Sequence, residues 1–103
     1  MRTTPNYREI FCKRLKASRL ASGLSQRNLG ILAGIDEFVA SARINRYELG
    51  IHEADIQTAQ YLSGVLNVPL AYFYADDDQL AEMIFLFSRS SSQIKEKVLD
   101  LAR

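Results

Sequence analysis

The chain has no tryptophan, one cysteine, one histidine and two prolines among its 103 residues. A single thiol, Cys12, cannot close an internal bridge, so a disulfide-framed secreted module is excluded and a reducing, cytoplasmic setting is expected. With His52 as the only imidazole, the three or four Cys and His ligands of a zinc site cannot be assembled, and no metal is expected. No run approaches the ~20 apolar residues a membrane span needs, and residues 1 to 7 hold no hydrophobic signal region, so neither insertion nor export is expected. A glycine-rich phosphate loop and a G-x-S-x-G elbow are also missing. The run Asp76-Asp77-Asp78 lacks the glycine and distal glutamate of a calcium loop and suits a helix start instead. The chain therefore reads as a non-enzyme with no cofactor and no small-molecule ligand.

What is present is a 48% apolar chain long enough for one self-standing core. Its near-neutral net charge of +1 conceals a segregation. Residues 1–50 carry nine basic and four acidic side chains, a balance of +5, whereas residues 51–103 carry four basic and eight acidic, a balance of −4. The first half is suited to a polyanion, unless the segregation merely reflects solvated helix faces.

Apolar spacing predicts helices throughout. Residues 7–22, with Ile10, Phe11, Leu15 and Leu20, form an amphipathic first helix closed by Gly23. Ser25 caps a short second helix through a backbone N–H near Asn28; Leu29, Leu32 and Ala33 make its apolar side, and Gly34 ends it. Residues 38–49 read as a third helix with Val39, Ile44 and Tyr47 inward, ending at Gly50. Asp55 caps a fourth, with Ile56, Ala59, Leu62, Val65 and Leu66 on one face, stopped at Asn67-Val68-Pro69. Pro69 opens a short fifth helix through Leu70, Tyr72 and Phe73. The three aspartates open a sixth with Leu80, Met83, Ile84 and Phe87, and after the polar break 88–92 a seventh carries Ile94, Val98, Leu101 and Ala102. Tyr47, Tyr61, Tyr72 and Tyr74 read as packing residues, and Cys12 as a partly buried helix residue.

The second and third helices, joined by a glycine-bearing link, make a helix-turn-helix. The run Arg14 to Arg19, then Gly23-Leu24-Ser25-Gln26, Leu29, Ala33-Gly34-Ile35 and Ile44-Asn45-Arg46-Tyr47-Glu48-Leu49-Gly50 closely resembles the Cro/repressor (XRE-like) helix-turn-helix family. The likeness continues through Ala59, Leu62, Asn67-Val68-Pro69-Leu70 and Phe73, covering about residues 10 to 74. It implies an all-α, lambda-repressor-like five-helix DNA-binding bundle in residues 1–75, with two additional C-terminal helices in 76–103.

The resemblance also implies roles. Gln26, Arg27 and Asn28 would meet DNA phosphates at a helix N-terminus, which suits anions. Ser41, Ala42, Arg43, Asn45 and Arg46 would face base edges. Arg43 and Arg46 would carry most of the choice, since a guanidinium pairs with O6 and N7 of guanine. Arg19 and Glu48 would pair across the core as a structural salt bridge. One departure stands out: eight residues, Asp36 to Arg43, separate Ile35 from Ile44, about four more than the family's usual spacing, or roughly one helical turn. The extra residues either lengthen the recognition helix from an Asp36 cap or loop out, with Phe38 expected to turn inward as an anchor.

Residues 83–87 are five consecutive apolar side chains, more than one helix face can bury in a small bundle. Met83, Ile84, Phe87, Val98 and Leu101 would thus either build a twofold interface or fold back to complete the core. The chain as a whole reads as a sequence-specific bacterial or phage transcriptional regulator. It would bind double-stranded DNA as a homodimer and repress by operator occupancy. The competing reading is a protein-interaction adaptor or antitoxin on the same fold.

Overall fold

The computed structural model describes residues 6–103, and among these there is no strand. Four helices, α1 (Tyr7–Ala21), α2 (Gln26–Leu32), α3 (Ala40–Glu48) and α4 (Ile56–Leu66), are followed by a 3-10 turn (Leu70–Tyr74) and by α5 (Asp78–Ser88) and α6 (Ser92–Ala102). Side chains that satisfy orphan N–H groups fix most of the starts. Asn6 Oδ1 accepts from Arg8 and Glu9 at 3.2 and 3.3 Å, Ser25 Oγ from Asn28 at 3.0 Å and Asp55 Oδ1 from Thr58 at 2.7 Å. Asp77 and Ser91 cap α5 and α6 in the same way. At the other end of α4, Asn67 takes the left-handed conformation, φ 55°, that turns the chain toward Pro69.

Each of the first five elements supplies one fully buried large side chain: Leu15, Leu29, Ile44, Leu62 and Phe73. Burial of such a residue is worth roughly 1.5–3 kcal/mol, so these five dominate the driving force for the bundle. Phe11 meets Phe73 edge to face at 5.0 Å between ring centres, which locks α1 onto the 3-10 turn. The apolar stripes are narrower than their spacing predicts. Leu20, Leu32 and Ile56 are exposed. They lie in the last turns of α1 and α2 and the first turn of α4. Tyr61 is likewise exposed rather than packed, its hydroxyl accepting from Gln57 Nε2 at 2.9 Å.

Arg14 is a core element that spacing does not reveal. Its side chain is buried, with Nε and Nη2 both donating to the Ala75 carbonyl at 3.1 and 2.7 Å and Nη1 to Asp78 at 2.9 Å. It thereby ties α1 to the end of the 3-10 turn and to the first residue of α5. On α5, Ala81 is buried and Phe85 packs near Tyr72, while Leu80, Met83 and Leu86 face outward. Helix α6 buries no side chain fully, Lys95 and Val98 being half-buried. It therefore does not fold back to complete the core.

Candidate nucleic-acid interface

The α2–α3 unit is set by one close approach. A Cβ on Gly30 would lie 2.7 Å from Ala40 Cβ and 3.1 Å from its Cα, so only glycine lets the start of α3 seat against α2. Ala40, Ile44, Tyr47 and Glu48 are the buried residues of α3. At about 100° per residue, Ala42, Asn45 and Arg46 then stand opposite the core, with Ser41 and Arg43 on the two flanks. All five are exposed.

Arg19 and Glu48 meet in a two-pronged pair, Nε to Oε2 at 2.6 Å and Nη2 to Oε1 at 3.0 Å, with the side chains only 11% and 3% accessible. The hydrogen bond from Arg19 to Glu48 raises the guanidinium's already high pKa despite partial desolvation. Arg19 Nη1 also donates to the Leu24 carbonyl at 2.9 Å, so one side chain joins α1, the turn before α2 and the end of α3. Gln26 extends the network. Its Nε2 lies within donating distance of Glu48 Oε1 at 3.1 Å and Asn45 Oδ1 at 3.2 Å, fixing the N-terminus of α2 beside the exposed face of α3.

The inserted segment loops out. Asp36 does not cap α3; its Oδ1 accepts from the Phe38 N–H at 2.8 Å, closing a turn over residues 37–39, and the helix begins at Ala40 after Val39. The expected helix over 38–49 is thus shorter at both ends. Phe38 is 88% exposed rather than an inward anchor, and Val39 is 47% exposed rather than core. The reason lies in the Gly30–Ala40 contact. It seats Ala40, the first residue of α3, directly against Gly30 of α2, where a larger side chain would not fit.

The structure also sorts the basic residues of the first half. Arg8 pairs with Glu53, Lys13 and Arg14 with Asp78, Arg19 with Glu48, and Arg27 with Glu37 at 3.4 Å. Among the described residues that leaves Lys16, Arg43 and Arg46 without an ion pair, two of the three on the exposed surface of α3. Arg43 lies toward α4. Asp55 is held below the usual carboxylate range first by the hydrogen bond from the Thr58 backbone, and the Arg43 guanidinium adds to the effect. Asn28 is exposed in the first turn of α2. Sequence spacing gave no sign of the Arg27–Glu37 pair, because it forms only through the looped-out turn.

The family model for helix-turn-helix proteins matches residues 15–73, more than half of the chain. The chain belongs to the helix-turn-helix family. The crystal structure of the transcriptional regulator BswR superposes with a TM-score of 0.84 at 43% identity, covering 88% of this chain and 90% of that one. Coverage of that extent reaches past residue 75 into the C-terminal helices. HTH-type transcriptional regulators of Sinorhizobium medicae (strain WSM419) and Rhizobium meliloti (strain 1021) are each 33% identical over 63 residues, 61% of this chain. The chain spans 42% of the length of these two relatives.

Proposed function

We propose that this helix-turn-helix chain is a cytoplasmic, sequence-specific repressor that acts as a homodimer by occupying its operator. The observation that carries this reading is the placement of Arg43 and Arg46, the unpaired arginines of α3, on a helix whose other face is locked to α2 by Gly30 and to α1 by Arg19. Rigid presentation of guanidinium groups is what base-edge recognition in the major groove needs. Ala42, Asn45 and Arg46 would face the bases most directly, with Ser41 and Arg43 reading from the flanks. Gln26, Arg27 and Asn28, at the N-terminus of α2, would meet phosphate, Arg27 through the donors that its single contact to Glu37 leaves free.

Residues 76–103 would form the dimerisation element apart from the DNA-binding unit of residues 1–75. Support comes from α5 and α6, which leave Met83 and Leu101 exposed and Ile84, Phe87 and Val98 half-buried. A twofold arrangement would set the two α3 helices about one DNA turn, roughly 34 Å, apart. The test is selection of binding sites from a random duplex pool with wild type, Arg46→Ala and Arg27→Ala. A twofold-symmetric motif is expected. Arg46→Ala should blur it at one position per half-site, while Arg27→Ala should weaken all sequences alike and reduce the salt slope by about 1. Absence of any enriched motif refutes the reading in favour of an adaptor or antitoxin.

A further inference from the structure

Phe38 is a large aromatic ring that the fold does not use. It is 88% exposed in a turn that is held without it, by Asp36 Oδ1 accepting from the Phe38 N–H, by the Val39 N–H donating to the Asp36 carbonyl at 3.1 Å and by the Arg27–Glu37 pair. That ion pair ties the turn to the first helical turn of α2, and the Arg43 N–H donates to the Val39 carbonyl at 2.9 Å, so the turn runs directly into α3. The ring therefore stands at the N-terminal end of the recognition helix, which is the end that contacts base edges in this kind of unit. A phosphate has nothing to offer a phenyl ring. The floor of the major groove presents one apolar group, the 5-methyl of thymine, and phenylalanine is among the side chains that pack on it.

We propose that Phe38 is a specificity-determining residue that packs on the 5-methyl group of one thymine in each half-site, extending the reading surface of α3 upstream through the looped-out turn. The inference rests on the DNA-binding reading above. Arg27 neutralises Glu37 next to the ring, and Asp36, the other carboxylate of the turn, is engaged by the Phe38 N–H. Covering one methyl group is worth about fourfold in affinity.

The experiment takes the site selected by the wild-type chain and replaces each dT of a half-site, one at a time, by dU, which removes only the methyl group. Affinities are measured for wild type, Phe38→Leu and Phe38→Ala. One position is expected at which wild type loses about fourfold on going to dU, Phe38→Leu loses less, and Phe38→Ala loses nothing, all three proteins melting together because the ring is exposed. Equal methyl sensitivity in wild type and Phe38→Ala, or none in wild type, overturns the proposal while leaving the repressor reading intact. A clear drop in melting temperature for Phe38→Ala overturns it by making the ring a packing residue. If wild type selects no site, both readings fall together.

Discussion

Replacing Arg19 by alanine tests the joint between α1 and α3. The change leaves the Glu48 carboxylate, 3% accessible, without its cation and with Gln26 Nε2 as its remaining side-chain donor. It also frees the Leu24 carbonyl. Removing one partner of a buried pair costs on the order of 3–5 kcal/mol. The residual 11% exposure of Arg19 lets water reach the vacated space and places the expected loss near the lower end, about 3 kcal/mol. For a domain of this size each kcal/mol moves the melting temperature by roughly 4–8 °C, so Arg19→Ala should melt about 12 °C or more below wild type. Urea unfolding followed by helical circular dichroism gives the same free energy independently, with an unchanged slope if the denatured state is unaffected. The double variant Arg19→Met, Glu48→Leu, which removes both charges, should recover much of the loss. An Arg19→Ala protein within about 1 kcal/mol of wild type would refute the argument, because the penalty of an unpaired buried carboxylate would then be absent.

Other outcomes follow from single contacts. Gly30→Ala should cost about 1–3 kcal/mol by overpacking against Ala40 and weaken DNA binding with it; adding Ala40→Gly should return part of both, read by thermal melts and a duplex titration. Asn67→Val should cost about 1–2 kcal/mol at the left-handed cap of α4, whereas Asn67→Gly should be close to neutral in the same melts. Hydrogen bonds from Lys13 and then Arg14 hold Asp78 below the ordinary carboxylate value of 3.8. A lowered folded-state pKa contributes stability above the unfolded value that is lost as pH falls through the folded one. The gap in melting temperature between wild type and Asp78→Asn should therefore be present at pH 7 and close progressively below pH 3.8, and a gap that widens in acid would contradict the assignment. Leu101→Glu should lower the apparent mass in sedimentation if the C-terminal helices form the dimer, and leave it unchanged if they do not.

Local chemistry made most of the helices legible. Ser25, Asp55 and the glycines at 23, 34 and 50, all at positive φ, mark their boundaries by capping and by backbone conformation, which are properties of a few neighbouring residues. The motif residues brought Arg19, Gln26 and Glu48 to notice for the same reason, since their spacing along the chain reflects one fixed arrangement of helices. What spacing does not reveal is long-range. Arg14 reads as one more surface cation until the Ala75 carbonyl arrives from 61 residues away to accept from it. Phe38 lies outward in a turn closed by Asp36 and followed by the tight seating of Ala40 on Gly30, steric and hydrogen-bonding facts that hydrophobicity does not encode. The charge segregation of the sequence was real, but ion pairs formed on folding absorb most of it and, among the described residues of the first half, leave Lys16 and the two arginines of α3.

Helix α6, eleven residues with no buried side chain, sits below the length at which an isolated helix holds together in water. Its backbone amides should then exchange with solvent far faster than those of α1 or α4, whose opening requires the core to come apart. Any surface that covers Ile94, Val98 and Leu101 would supply the missing free energy and slow that exchange. The helicity of the last residues would thus track the concentration of whatever covers them, making residues 92–102 a built-in reporter of assembly that amide exchange at several protein concentrations can read.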